Sequence, residues 1–308
     1  MTLGKELNRY RKKLLRRQMN RDERSVSNIV TSIMMLGIVF TILGMVLTVY
    51  VPIWAKSLEA AHMDEVSDSF TELKSTVDSQ IAQGELGTKM STRVTLGTEG
   101  GPLLGLGQTT GGMLFRPDRS EMTVYNTDDP FEKYGTGRGK LSFESSNIYY
   151  VDQSYTYENG AMILEQYGSA VMKVEPNIYI NNVSGTTTVS TVMITLQGDL
   201  ENVGGIKSQS IQTSLLSVNR DTTNWGDGAR PGTGKNITLE VNTSFPVVWH
   251  EYFKDMLDNR SRLNSSEYAI MAPYTVGDPD DEYWMIEVVI RDVNKFSSTI
   301  AFVDTKIT

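Results

Sequence analysis

Few side chains in this 308-residue sequence are of the kinds that carry metal or nucleophilic chemistry. There is no cysteine, and the two histidines, His62 and His250, belong to separate predicted elements. A zinc site draws on several Cys or His ligands, and the His-Glu-x-x-His motif needs two histidines on one helix. The sequence therefore excludes a thiol nucleophile and a histidine-based zinc centre, and we interpret His62 as a residue on the face of a helix.

One segment concentrates carboxylates that could bind a hard cation. Four acids lie within five residues, and calcium prefers oxygen ligands of this kind; they are Asp278, Asp280, Asp281 and Glu282. The glycine of an EF-hand loop is missing, so a solvated acidic turn is the preferred interpretation and a calcium site is the alternative.

The segment from Gly228 to Lys235 resembles a phosphate-binding loop only superficially. Its glycine spacing is one residue too long, and Asn236 stands where the motif requires Ser or Thr. Carboxylate pairs for glycoside hydrolysis meet only in space, and nothing local indicates one. We therefore expect no enzymatic activity and no cofactor.

A group of tyrosines offers a second kind of site. A carbohydrate-stacking platform is one use of such a group, although cross-strand aromatic pairing is the commoner one; the residues are Tyr149, Tyr150, Tyr155 and Tyr157.

The first element of the chain is a basic leader followed by an apolar segment of the kind that crosses a membrane. Residues 1–24 carry three acids and nine basic residues, and no charged side chain occurs from Ser25 to Ala55. The apolar core from Ile29 to Ile53 is 25 residues, or about 37 Å of helix at about 1.5 Å per residue, enough for a bilayer core of about 30 Å. The run is too long for an ordinary cleaved signal, and the basic leader predicts a cytoplasmic N-terminus.

The junction Asp22-Glu23-Arg24-Ser25-Val26-Ser27 is similar to the leader-peptidase site of archaeal type IV pilin-like and archaellin-like precursors. That family has a short charged leader, a small residue, Val-Ser, usually Pro, and then an apolar helix. This sequence has Ser25 where Ala is common and Asn28 where Pro is usual. The segments Pro52 to Ser57 and Trp249 to Leu257 are also similar to segments of larger archaeal relatives of that family.

The resemblance implies a mode of processing and a set of partners. A prepilin-type leader peptidase would cut between Arg24 and Ser25, before the apolar helix. The helix would first span the membrane and then form the core of a filament of sister or other pilin-like subunits. Independently of the resemblance, small residues at steps of four, three and four are predicted to form a contact face between helices, because they let two backbones approach; they are Gly37, Thr41, Gly44 and Thr48. The alternative is that Gly and Thr are simply tolerated in a lone lipid-facing helix.

An amphipathic stalk helix is predicted over residues 54–83, with a kink at Pro52, which lacks an N–H group. Apolar residues recur every three to four positions from Leu58 to Ile81. This stripe must pack either on the base of the outer domain or on neighbouring copies.

From residue 84 onward the pattern predicts a mostly antiparallel β-sandwich head, and the chain is thus of the α+β class. The clearest hairpin is Tyr155 to Leu164 around Asn159-Gly160. Further strands are predicted at 186–196, 209–218, 237–241, 283–293 and 298–303. A head starting near Thr88 is expected to fold without the apolar helix. One short helix, Val247 to Leu257, is interpreted as a lid on the sandwich, with a binding finger led by Trp249 as the alternative.

The net charge and the glycosylation sequons indicate the character of the surface of the predicted head. The leader contributes +6 to a formal charge of −8, so the remaining residues carry −14 and nucleic acid is not an expected partner. Five Asn-x-Ser/Thr sequons lie in the head and predict possible N-glycosylation; they are Asn182, Asn236, Asn242, Asn259 and Asn264.

Together these patterns predict a single-pass surface protein with four parts: a basic cytoplasmic leader (1–24), a transmembrane or filament-core helix (25–53), a stalk (54–83) and an extracellular head (84–308). The expected function is that of a pilin-like subunit or minor subunit of an archaeal filament. The alternative is an anchored binding or adhesion domain that does not polymerise.

Overall fold

The computed structural model describes residues 3–100, 107–226, 233–275 and 284–308. The chain divides into two compact units, Met1–Ala55 and Lys56–Thr308. The fold is α+β, with a long N-terminal apolar helix, a large and mainly antiparallel β-sheet and one short helix in the second unit.

The first unit is helical. Helix α1 spans Leu3–Met45, a π-helical turn covers Val46–Tyr50, and helix α2 spans Val51–Gln83. The wide turn comes directly before Pro52, which has no N–H to donate to the carbonyl of Thr48 and whose ring would clash with it. The Val51 N–H bonds instead to the Val46 carbonyl, one residue further back than in an α-helix. The structure therefore accommodates Pro52 with a π turn.

In the second unit α2 is part of the core. Met63, Val66, Phe70, Val77 and Ile81 are buried in one apolar cluster with strands of the sheet. The stripe predicted for a stalk thus packs on the domain's own strands. The boundary predicted at residue 84 falls inside one compact unit, and the expectation that the head folds from Thr88 without the stalk conflicts with this packing.

Most of the second unit consists of β-strands. The first seven are β1 (Lys89–Thr95), β2 (Thr110–Asn126), β3 (Asp129–Ser146), β4 (Gln153–Glu158), β5 (Ala161–Gln166), β6 (Ser169–Val174) and β7 (Ile178–Val183). The next seven are β8 (Thr186–Gln197), β9 (Glu201–Gly205), β10 (Ser208–Asn224), β11 (Lys235–Thr243), β12 (Tyr268–Ile270), β13 (Tyr274–Thr275) and β14 (Trp284–Ile307).

The strands are hydrogen-bonded in the order β1-β10-β14-β11-β2-β3-β4-β5-β6. Strand β14 organises this sheet, because its first half pairs with β11, β12 and β13 and its second half with β10 and β8. The β14–β8 pair is parallel and the other pairs are antiparallel. The two strands predicted at 283–293 and 298–303 are therefore one strand, with a bulge between Val293 and Lys295.

The long strands β2 and β14 bring two apolar clusters into one unit. One cluster joins α2 to the first half of β2 and the second half of β14. The other joins the second half of β2, strand β11 and the first half of β14 to the short helix α3, Pro246–Asp255. Each helix thus covers the inner face of a different part of the sheet, as a two-layer arrangement requires.

The predicted hairpin and the predicted lid helix are both present. Strands β4 and β5 pair through Asn159-Gly160, and both turn residues have positive φ, as a type I′ turn requires. Helix α3 starts with Pro246 in its first turn and continues into a π turn at Met256–Arg260. Its Trp249 is fully buried in the second cluster, which agrees with a lid and excludes a protruding finger.

Candidate functional site

The apolar segment of the first unit is exposed along most of its length. Between Ile29 and Ile53 most of the large apolar side chains lie on the surface, for example Ile33 and Phe40, whereas Val46, Leu47 and Val51 are half-buried. Among the described residues, one helix is long and apolar enough to cross a membrane, and it contains this segment. An apolar surface of this extent in water is unfavourable, so the segment requires an apolar environment.

The predicted contact face of this helix consists of small residues, and its threonine hydroxyls are hydrogen-bonded within the helix. Apart from the adjacent residues and the nearby backbone of the same helix, no atom lies within 4 Å of a Cβ built at Gly37 or Gly44. The Thr41 hydroxyl donates to the Gly37 carbonyl at 2.8 Å, and the Thr48 hydroxyl donates to the Gly44 carbonyl at 2.7 Å. The face therefore exposes no unpaired hydroxyl to lipid or to another helix. The π turn begins at Val46, so Gly37, Thr41 and Gly44 lie before it and Thr48 lies within it.

Other predicted positions are distributed over the chain. Arg24 and Ser25 lie inside the continuous helix α1. The amide of Asn182 donates to Thr187 and that of Asn236 to Asp128, whereas Asn242 is half-buried. The amides of Asn259 and Asn264 also donate, to Asp255 at 2.8 Å and to Glu267 at 3.2 Å, but both side chains are exposed, so these two sequons are the more accessible ones for a glycan.

The candidate calcium ligands Asp278, Asp280, Asp281 and Glu282, and most of the segment Gly228 to Lys235, lie outside the described residues. Within the described ranges no group of three or more His, Asp or Glu side chains is placed to hold a metal ion. His62 is buried, with its Nε2 atom 2.9 Å from the Thr95 carbonyl oxygen and its ring edge against Phe143.

The four tyrosines do not form one platform. Tyr155 and Tyr157 are buried in the α2 cluster, where Tyr155 lies against Phe70, and burial raises the pKa of both phenols. Tyr149 is exposed and Tyr150 half-buried in the loop between β3 and β4. The sheet therefore uses the first pair as core.

The second unit has a groove that sequence patterns do not indicate. Its floor is the polar side of β3, β4 and β5, and its wall is the segment that leads into α3. The groove has a volume of about 740 Å³, and its lining includes Lys140, Glu144, Glu165 and Glu251. We call it the Lys140 groove.

Lys140 is a cation held in a partly dehydrated position. Its Nζ donates to the Ser244 hydroxyl at 2.8 Å and lies 4.9 Å from the centre of the Phe245 ring. In the described part of the chain no carboxylate oxygen lies within 4.0 Å of Nζ. Burial lowers the pKa of Lys140, and the negative charge of Glu158 opposes this shift.

Glu158 fixes the wall of the groove. It is fully buried opposite Lys140 in the β3–β4 pair, and its Oε1 accepts hydrogen bonds from Thr243 Oγ1 at 2.5 Å and Trp249 Nε1 at 2.7 Å. The Thr243 hydroxyl in turn accepts a bond from the Phe245 N–H at 3.0 Å. The position of Ser244 and Phe245 beside Lys140 thus depends on this buried carboxylate.

The groove presents several polar groups to a ligand-sized space. It combines one ammonium group, three carboxylates and the hydroxyls of Ser142, Ser154 and Thr156 around a concave surface. Its residues come from four strands and one helix between residues 140 and 251. Alternation in β3 and β4 indicates only that these side chains share a polar face.

Comparison with known families gives one result. Residues 24–280 match a family described as a family of unknown function, DUF7289, and the chain belongs to this family. No curated protein and no solved structure matches the chain significantly.

Proposed function

We propose that the protein is anchored in a membrane by a single helix, with its second unit outside the cell, and that it acts as a pilin-like subunit. The observation that carries the proposal is the long apolar segment from Ile29 to Ile53, which is exposed except at the half-buried residues Val46, Leu47, Val51 and Pro52. An exposed helix of this length is satisfied by lipid or by sister helices, and exchange between the two leaves little apolar surface in water.

The basic residues before the apolar segment support its orientation. Arg9, Arg11, Lys12, Lys13 and Arg16 are exposed on α1. By the positive-inside rule this end stays in the cytoplasm, so the second unit lies outside.

The resemblance of the Arg24–Ser25 junction to pilin precursors supports removal of residues 1–24 by a prepilin-type peptidase. The family match begins at Arg24, beside the proposed cut. The intact mass of protein extracted from membranes tests this step. A chain starting at Ser25 is expected, and retention of residues 1–24 would contradict processing of this kind.

The small face around Gly37 and Gly44 supports association between helices, because it leaves room for a neighbouring backbone. The chain has no cysteine, so single cysteines can report contact. We expect Thr41→Cys to cross-link two subunits in the membrane. Val39→Cys, about 160° away on the helix, is the matched control and should remain monomeric.

Two outcomes separate assembly from simple anchoring. Gly44→Leu adds bulk on the small face and should abolish filaments or oligomers while membrane insertion continues. Val39→Leu places the same final side chain on the other face and should leave assembly intact. Equal behaviour of the two variants, or a parent chain that never associates, would contradict assembly through this face.

An anchored binding or adhesion domain that does not polymerise is the second candidate. The Lys140 groove favours it, because a concave polar surface with a positioned lysine is suited to ligand binding and has no evident role in helix association. A monomeric parent chain whose binding to cell-surface polysaccharide is lost in Lys140→Met would favour this candidate. Exposed Lys254 provides the control, Lys254→Met.

A further inference from the structure

The loop between β3 and β4 exposes apolar side chains beside a lysine. Ile148 is 61% exposed and Tyr149 is 39% exposed. They lie around one open depression of about 620 Å³ with Lys56 of α2 and with Tyr167, which is 83% exposed at the β5–β6 turn. We call Lys56, Ile148, Tyr149 and Tyr167 the interface patch. Its four residues all belong to the second unit.

The patch is held in place by a buried carboxylate. Glu59 is fully buried, and its oxygens accept the backbone N–H groups of Ile148 at 3.2 Å, Tyr149 at 2.8 Å and Tyr150 at 2.5 Å. The loop also closes on itself, because Asn147 donates from its side chain to the Val151 carbonyl at 2.8 Å. Ile148 and Tyr149 are thus exposed on a backbone that is tied to α2.

The short chain between Ile53 and Lys56 keeps this patch near the end of the apolar segment. Lys56 follows Ile53 by three residues, and three residues span at most about 11 Å even when fully extended. The headgroup layer on each side of a bilayer is about 5 to 8 Å thick, beyond a hydrocarbon core of about 30 Å. If Ile53 ends the hydrocarbon-embedded segment, Lys56 lies in or beside the headgroup layer whatever the orientation of the second unit.

The chemistry of the patch matches that layer. Tyrosine is enriched at membrane interfaces, where its ring is in an apolar region and its hydroxyl in a wet one. Lysine is attracted to lipid phosphates, and Ile148 can enter the boundary with the acyl chains. Lys56 forms no ion pair with another described residue, so its ammonium group is available to a headgroup.

We infer that the interface patch docks on the headgroup layer of the outer leaflet and holds the second unit against the membrane from which its helix emerges. This inference rests on the proposed membrane-spanning helix. Docking of the patch would attach the protein to the membrane at a second place, in addition to the helix. The depression around Lys56 and Tyr167 then faces lipid.

Lipid-borne quenchers test the docking in the full chain. Single cysteines replace Ile148, Tyr167, Phe131 and Ile42, and each carries the same fluorophore in vesicles of phosphatidylglycerol and phosphatidylcholine. The quencher is attached near the lipid headgroup or along the acyl chain, and an aqueous quencher is used in parallel. Phe131 is the matched control, because it is a 96% exposed apolar residue in the second unit outside the patch.

The expected result is quenching of the labels at 148 and 167 by headgroup-attached quencher, with loss of aqueous quenching, whereas the label at 131 shows the reverse. The label at 42 reports the helix and should be quenched from the acyl chain. If only the label at 42 is quenched by lipid, docking is overturned while the membrane-spanning helix remains supported. If the label at 42 is not quenched, the proposed function fails together with the docking.

A contact between copies of the chain would produce a different signal. Pyrene at position 167 would then form excimers whose intensity rises with protein density, without lipid quenching, and this outcome would overturn docking on the membrane. A further variant guards against an effect of the label itself. Lys56→Gln with Tyr149→Ser should reduce lipid quenching of the label at 167, and an unchanged signal would contradict a role for these two side chains.

Discussion

Trp249 donates its indole N–H to Glu158 Oε1 at 2.7 Å, and both side chains are fully buried. The bond joins helix α3 to the end of strand β4, across 91 positions of the chain. It provides a hydrogen-bond partner for a carboxylate that is removed from water, which would otherwise be costly. The lid helix is therefore fastened to the sheet by a polar bond inside an apolar cluster.

Replacing Trp249 with Phe should destabilise the second unit by about 1 to 3 kcal/mol, because one oxygen of Glu158 loses a donor while an aromatic ring remains. Urea unfolding followed by circular dichroism measures the change. Tyr252→Phe is the control in the same helix, since its hydroxyl donates a weak hydrogen bond to the Met256 sulfur at 3.6 Å. Equal stabilities of the two variants would show that the Trp249–Glu158 bond contributes little.

Replacing Phe70 with Ala should destabilise the second unit by about 3 to 5 kcal/mol, because the ring is fully buried between α2 and the sheet. Its contact with the Tyr155 ring, at 6.1 Å between centres, is lost as well. Phe131→Ala, at an exposed position, should leave the urea midpoint unchanged. A shift of similar size in both variants would argue against a core role for α2.

A chain starting at Lys56 should fold, and a chain starting at Thr88 should aggregate. The second lacks α2, and the apolar faces of β2, β4 and β10 that α2 covers are then exposed. Size-exclusion chromatography with circular dichroism separates the two outcomes. A monomeric, β-rich product from Thr88 onward would restore the boundary predicted from the sequence.

Lys140 should make stability depend on pH in a defined direction. Because its folded-state pKa is lowered, the unfolded chain binds more protons at pH values between the folded and unfolded pKa values. Stability relative to Lys140→Met should therefore rise as the pH rises through that window, and the difference should level off above the ordinary lysine pKa. Parallel urea titrations of the two chains give this difference. A constant difference across the alkaline range would contradict the lowered pKa.

Tyr125 should ionise later than an ordinary tyrosine. Burial, which is the largest cause, and the charges of Glu240 and Glu287 together raise its pKa to about 12. The protonated form is favoured in the folded state, so its contribution to stability is complete below the ordinary tyrosine pKa and is lost as the pH rises through the folded value. Glu240→Gln should lower the Tyr125 pKa, because it removes a neighbouring charge.

The measurement is a difference titration of phenolate absorbance against Tyr125→Phe, since the chain has fourteen tyrosines. Glu251→Gln, in an exposed position on α3, is the control and should leave the titration unchanged. An identical Tyr125 titration in parent and Glu240→Gln would show that the carboxylate has no effect on the phenol.

Local patterns predicted the elements whose signals are local. The apolar run from Ile29 to Ile53 and the Asn159-Gly160 turn carry their information in adjacent residues, and both elements are present. The burial of Trp249 followed from the spacing of apolar residues along one helix. These features required no knowledge of which strands are neighbours.

The remaining features depend on contacts between distant residues. Periodicity showed that the α2 stripe would be covered but left its partner open, and the partner is the domain's own sheet. The bulge at Val293 interrupts the alternation of side chains, so the sequence pattern predicted two strands where the structure has the single strand β14. Lys140 and Ser244 are 104 positions apart, and no pattern within β3 indicates that a hydroxyl from another segment would meet its ammonium group.

Strand β14 has a consequence for the order in which the chain acquires its structure. It pairs with β8, β10 and β11, and its register partner for Val293 is Thr187, more than a hundred positions earlier. These strands cannot complete their ladders until residues 284–307 have been synthesised, and pairing over such separations is slow. Until then β8, β10 and β11 have unpaired edges, and strand edges of this kind favour aggregation unless chaperones cover them.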